Sequence, residues 1–301
     1  MTPPRPFAFF TGGIPLAATI HREPADLLEP QPAVIVTGSW LTVKEQMPDR
    51  YAAALASLGY TAFTFDFTGF GATGGAPRQV EAATRKIADI TAAARAVRSL
   101  SFVRPGGLGH LAVCASAQYV LRAIAEGAPI TSFASVAGWF HDAASVAPFY
   151  GGAEGVAARL DRAQQALLTY QRSGEVVTVP AYRAGDEQAG MFLEMDYYAN
   201  PARGAVPTWR NEMAELSWAH WLTFDGLTAA AEVSAPTLLL HSDDSVLPDN
   251  LREVARRLPG RAELVWGKGS QTDFYDQDEQ VAFAVEAADQ HFRATLPGRN
   301  A

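Results

Sequence analysis

Leu111-Ala112-Val113-Cys114-Ala115-Ser116-Ala117 joins an apolar strand (110–114) to a helix (116–127, stopped by Gly127) with no loop between them. A junction this tight strains its turning residue and leaves room only for small side chains two positions to either side. Around Cys114 those neighbours are Ala112 and Ser116, both small. Around Ser116 they would be Cys114 and Gln118, and Gln118 is too bulky. Cys114 is therefore read as the exposed tip, in the strand–turn–helix geometry that displays a nucleophile, most often as G-x-S-x-G. At a helix N-terminus the macrodipole and the free N–H groups favour an anion. A thiol there is expected to ionise more readily than free cysteine. The backbone N–H of Ala115 would face the reacting centre as one oxyanion donor. The competing reading is a buried structural cysteine.

Cys114 is the single cysteine of 301 residues, so neither an internal disulfide nor a metal site of several cysteines can form. Hydrophobic residues make up 48% and charged residues 19%, a globular composition. The net charge of −8 excludes a basic footprint for nucleic acid or an anionic membrane. No apolar run is long enough to span a bilayer. The start, MTPPRPFAFF, lacks the features of a signal peptide, so a cytoplasmic location is expected. No cofactor and no metal are expected. The expected partners are a small-molecule substrate and, as a possible homodimer, a second copy of the chain.

Outward from the junction, apolar runs alternate with helical patterns. Residues 7–20 read as two strands around a Gly-Gly turn, and 33–38, 61–67, 131–138, 236–242 and 263–267 as further strands. Helices are read over 47–58, 81–99 and about 278–293. Strands separated by helices imply a mostly parallel sheet built from βαβ units. Segment 139–235 breaks the rhythm: it is long, aromatic, and shows no clear strand before Pro236. It is read as a mainly helical cap inserted into a core of 1–138 and 236–301, lying over the carboxyl edge of the sheet where ligands bind. The turn Gly38-Ser39-Trp40 at that edge would supply the second oxyanion donor, the N–H of Ser39 or of Trp40.

With strand, junction and turn in place, the chain resembles the α/β-hydrolase superfamily, and within it the group related to dienelactone hydrolase. The matching stretches are VTGSWLTVKEQMPDRYAAALASLGYTAFTFDFTGFGATGGAPR (36–78), LGHLAVCASAQY (108–119), and 236–276 from PTLLLHSDDSVLP through GSQTDFYD. They leave segment 139–235 unmatched. Cysteine at the junction resembles dienelactone hydrolase, where it replaces the usual serine. The resemblance implies an acid after the penultimate strand, which the Asp-x-x-x-Pro spacing places at Asp244 with Pro248. A cap or turn role is the alternative for Asp244. The resemblance also implies a histidine in the loop after the last strand, and here the sequence departs from it. Gln271 stands at that position, followed by the matching Asp273 and Tyr275. An amide cannot take and return a proton near neutral pH, although it can hydrogen-bond to Asp244 or to substrate.

Three responses are open: a thiolate that needs no base, a substitute histidine, or chemistry other than hydrolysis. Among substitutes His141 is best placed, after the strand at 131–138, and His220 and His241 are the other candidates. His110 is placed at the start of the junction strand, away from the site. Trp139, Phe140, Trp218, Trp221 and Tyr197 are expected to line an apolar substrate pocket, with Trp40 and Tyr198 nearby. Lys44 and Glu45 read as a mutual ion pair, or as neighbours of the pocket.

The functional expectation is a hydrolase acting on an ester, lactone or thioester of a small hydrophobic or aromatic substrate. Its route would be an acyl-thioenzyme on Cys114, with Asp244, Gln271 and His141 as the remaining catalytic candidates. The alternatives are a lyase, cyclisation or acyl-transfer step in biosynthesis on the same fold, and a non-catalytic ligand-binding protein.

Overall fold

The computed structural model describes residues 3–24, 27–260 and 262–296. Its strands are β1 (Arg5–Thr11), β2 (Ile14–His21), β3 (Gln31–Thr37), β4 (Thr61–Phe65), β5 (Val103–Val113), β6 (Ser132–Val136), β7 (Thr178–Val179), β8 (Met213–Ala214), β9 (Thr237–His241) and β10 (Ala262–Trp266). Eight of them form one sheet in the order β1-β2-β4-β3-β5-β6-β9-β10. The β1–β2 hairpin and the β2–β4 pair are antiparallel; every other neighbour is parallel.

The central strands are near-continuous apolar runs because both faces are covered: every residue of β4, β6 and β9 is buried. The helices are α1 (Met47–Ser57), α2 (Ala83–Arg98), α3 (Ser116–Ala125), α4 (Ala143–Val146), α5 (Gly152–Ser173), α6 (Asp196–Ala199), α7 (Ser217–Trp221), α8 (Pro248–Arg257), α9 (Asp273–Asp276) and α10 (Asp278–Thr295), of which α1, α2, α3, α8 and α10 pack on the sheet. α1 packs on α10 and α2 on α3. α1 carries Pro48 in its first turn, where the missing N–H costs nothing, and buries Tyr51, Ala52 and Leu55. No helix among the described residues is long and apolar enough to cross a membrane.

Register brings the edge turns together. Thr37 of β3 pairs with Ala112 of β5, so the Ser39 turn stands level with Cys114. The Cys114 N–H donates to Val136 O at 3.1 Å, and the Ala137 N–H to Leu240 O at 2.9 Å, bringing the ends of β6 and β9 to the same level. The turn after β4 wraps Asp66, whose carboxylate accepts the N–H groups of Lys44 and Ala72, each at 2.9 Å. A Cβ on Gly71 would lie 2.3 Å from Asp66 Oδ2, and φ there is +46°, so this turn requires glycine. Lys44 bonds to Asp66 Oδ2 at 3.0 Å and to Glu45, and so holds this turn rather than lining the pocket.

Two expectations are corrected here. β5 starts at Val103, not His110, so His110 sits inside the strand, with its Nε2 2.9 Å from Thr37 Oγ1. Segment 139–235 is not the mainly helical cap expected: helices account for less than half of it, and it also holds the two-residue β7–β8 ladder and a bridge between Tyr182 and Met191. Tyr197, Trp218 and Trp221 of this segment share one apolar core with the sheet.

Candidate active site

Cys114 follows β5 and precedes α3 with φ +59°, the left-handed strain expected of the junction's tip. Its sulfur meets four donors. The backbone N–H groups of Ala115 and Trp40 and the hydroxyls of Ser39 and Tyr275 stand around it and favour its ionised form. These N–H groups come from the two turns named from sequence, and Trp40 rather than Ser39 supplies the amide. Ser39 contributes its hydroxyl. The thiol does not follow the dipole argument. Cys114 is 4% exposed, and burial raises its pKa against the lowering by all four donors. Burial therefore disfavours the thiolate.

Ser39, Tyr198 and Tyr275 form a hydroxyl cluster beside the sulfur. Ser39 Oγ lies 2.9 Å from the Tyr198 hydroxyl and 3.3 Å from that of Tyr275. Both phenols are buried and held well above the ordinary tyrosine pKa, chiefly by burial and then by the nearby Cys114.

Gln271 completes the cluster. Its Oε1 accepts the Val246 N–H at 3.1 Å, and its Nε2 donates to Ala137 O at 2.8 Å and to the Tyr275 hydroxyl at 3.2 Å. The expected bond to Asp244 is absent. Asp244 is exposed and does not line the cavity, because its turn points the side chain outward while the backbone of Val246 faces Gln271.

The substitute histidines are also placed elsewhere. His141 is fully buried: its Nδ1 accepts the Trp139 indole N–H at 2.8 Å and its Nε2 donates to Trp221 O at 2.8 Å. With both nitrogens occupied and its pKa depressed to about 4 by burial, His141 braces the wall of the site and has no free nitrogen for Cys114. His220 is exposed, and His241 bonds to Val246 O at 3.1 Å.

The cavity over the sulfur measures about 70 Å³. Trp139 and Trp221 line it as expected, with Trp40, Phe149, Tyr150 and the strip 190–193. Phe140, Trp218 and Tyr197 do not. Phe140 is fully buried, and its backbone oxygen accepts from Asn250. Trp218 packs against Tyr150 and Arg159. Tyr197 packs against Tyr275 from behind, with ring centroids 5.1 Å apart. Among the described residues no Asp, Glu, His, Lys or Arg lines the cavity.

Tyr275 is the residue that sequence reasoning passed over as a site group. Its signal lay in the Asp-Phe-Tyr after Gln271, noted only as flanking identity. On α9 the Tyr275 hydroxyl reaches the sulfur, while Tyr51 donates to Phe274 O at 2.6 Å and Asp276 pairs with Arg203 at 2.6 Å to hold the turn.

No protein-family model matches the chain. The Escherichia coli K12 protein YcjY, itself uncharacterized, is 25% identical over 303 residues, covering 94% of this chain and 95% of YcjY. Among solved structures, the DcsB complex with its substrate analogue superposes with a TM-score of 0.83 at 16% identity, covering 98% of this chain and 100% of that one. The α/β hydrolase GrgF from Penicillium sp. sh18 gives a TM-score of 0.79 at 18% identity, with coverage of 96% and 99%. The architecture is thus the α/β-hydrolase fold.

Proposed function

We propose that the chain is a hydrolase-type enzyme that acts through a cysteine nucleophile on an ester, lactone or thioester with a small apolar acyl group. One observation carries this reading: the thiol of Cys114 stands at the strained junction, under a cavity, with the amides of Ala115 and Trp40 converging on it. Amides aimed at the attacking atom also face the site where a carbonyl oxygen would gain charge. The cavity wall of Trp40, Trp139, Trp221 and Phe149 suits an uncharged acyl chain. The likeness to GrgF, described as an α/β hydrolase, supports the class of chemistry. The cysteine at the junction keeps the likeness to the dienelactone-hydrolase group as part of the proposal.

In this reading Cys114 attacks the carbonyl carbon and the Ala115 and Trp40 amides hold the oxyanion. The leaving group departs with a proton, and an acceptor later releases the acyl group. A second reading rests on the absence of any histidine or carboxylate from the described cavity lining. Release to water is the step that most needs a base. That favours transfer to a hydroxyl or amine acceptor, or cyclisation onto the acyl chain itself.

Mass spectrometry after mixing with p-nitrophenyl butyrate tests the reading. The wild type is expected to gain one butyryl group on Cys114, and Cys114→Ala none. Nitrophenol release should fall at least about a thousandfold in the variant, the scale of losing a nucleophile. Undiminished release by Cys114→Ala would refute the proposal.

A further inference from the structure

Given the proposed cysteine chemistry, we infer that Tyr275 is the proton-transferring residue of this site, moving the thiol proton of Cys114 to the leaving group with no ionised base, and that Gln271 aims it.

The direction of the Gln271 amide is dictated by its partners. Val246 offers a backbone N–H, which only Oε1 can accept. Ala137 offers a carbonyl, which only Nε2 can serve. Nε2 therefore also donates to the Tyr275 oxygen and occupies one of its lone pairs. What remains on that oxygen is one lone pair and one proton, one of which Ser39 Oγ engages at 3.3 Å until a bound acyl donor enters the cavity. Both face the cavity that Tyr275 and Cys114 line together, with the phenol beside the sulfur. The phenol can thus accept from the thiol while donating its own hydrogen.

The step balances. The S–C bond forms as the C–X bond of the acyl donor breaks. The thiol proton passes to the Tyr275 oxygen, and the Tyr275 proton passes to X. Tyr275 ends as it began, and no charge is left in the cavity. Acyl release runs the same path backward: the acceptor proton returns through Tyr275 to sulfur as the C–S bond breaks.

Burial supports a neutral route, because it disfavours both thiolate and phenolate here. Ser39 is the rival, since its hydroxyl also reaches the sulfur. That hydroxyl is shared with Tyr198 at 2.9 Å, and an aliphatic hydroxyl is a far weaker acid than a phenol. The Glu81–Lys86 and Lys44–Asp66 pairs lie outside the cavity lining.

The test compares Cys114 acylation by phenyl butyrate and by p-nitrophenyl butyrate in single turnovers followed by intact mass. Phenolate needs a proton to leave, whereas nitrophenolate leaves readily without one. Tyr275→Phe is expected to slow the phenyl ester by about 10²–10⁴-fold and the nitrophenyl ester by less than about tenfold. Gln271→Met keeps the volume but removes the aim, and should show the same leaving-group bias at smaller size. It serves as the test if Tyr275→Phe does not fold. A purely structural role for Tyr275 would slow both esters alike, and that result overturns the inference. So does a biased loss in Ser39→Ala with none in Tyr275→Phe. A wild type that accepts no acyl group from either ester overturns the cysteine proposal itself, a failure distinct from an acylated wild type with an indifferent Tyr275→Phe.

Discussion

A Lys86→Met variant is expected to lose about 3–5 kcal/mol of folding stability, measured by urea unfolding at neutral pH. Lys86 and Glu81 form an ion pair at 2.7 Å, with side chains 3% and 0% exposed. The ammonium also lies 4.5 Å above the ring of Phe67 and 4.9 Å above that of Phe70. Methionine preserves the stem and its packing but strands the Glu81 carboxylate without a counter-ion. That carboxylate accepts the Leu41 N–H at 3.1 Å and the Tyr119 hydroxyl at 3.0 Å. Leu41 has φ +60° and directly follows Trp40, whose amide faces the sulfur. The variant should therefore also acylate more slowly than its stability loss explains. Exchanging both partners, Glu81→Leu with Lys86→Met, should recover much of the stability, because the buried charge is gone, but not the anchoring of the Leu41 turn. A single-variant loss below about 1 kcal/mol would contradict the assignment.

The second large effect is acid lability. His110, His141 and His241 are fully buried, and burial depresses their pKa values to about 3, about 4 and about 4. In the folded chain they stay neutral well below pH 6, whereas in the unfolded chain they take up protons as pH falls through about 6.5. The unfolded state then binds more protons, so stability is complete above about pH 6.5 and drains as pH falls toward 4. By pH 5 each histidine costs about 2 kcal/mol, and the three together a large part of an ordinary stability of about 5–15 kcal/mol. Urea midpoints at pH 7.5, 6 and 5 should decline steeply, and a His241→Gln variant should show a shallower decline. A flat midpoint over that range would refute the reading.

Much of the fold was legible because its signals are local. The β-branched and apolar runs of β3, β4, β6 and β9 could only be strands covered on both faces. The small neighbours of Cys114 identified the tip of the junction, and the two donor turns followed from adjacent parallel strands. β5 is longer than the apolar run 110–114 suggests: it begins at Val103, next to an irregularity in the β3 pairing at Gln31.

The site was less legible, because its decisive contacts span the chain. The spacing of Asp244 to Pro248 is visible in the sequence, but spacing does not say which way a turn aims its side chain, and Asp244 is exposed. His141 looked available until Trp221, 80 residues on, took its Nε2. Gln271 was visible as an amide, but its orientation depends on Val246 and Ala137, each far away in sequence. The thiol's raised pKa reflects burial beneath segment 139–235, which no local pattern near Cys114 reveals.

The aromatic wall makes the protein its own optical instrument. Trp40 stacks on Trp221 at 4.5 Å, Trp221 lies 5.5 Å from Trp139, and Trp40 lies 6.1 Å from Trp218. Four of the six tryptophans therefore form one chromophore cluster, and three of them face the cavity. Rings this close exchange excitation, so a disturbance at one is shared by the rest. A colourless acyl chain entering the cavity should shift the intrinsic ultraviolet emission without any added dye. The same signal would time the arrival of substrate separately from the bond-making that follows it.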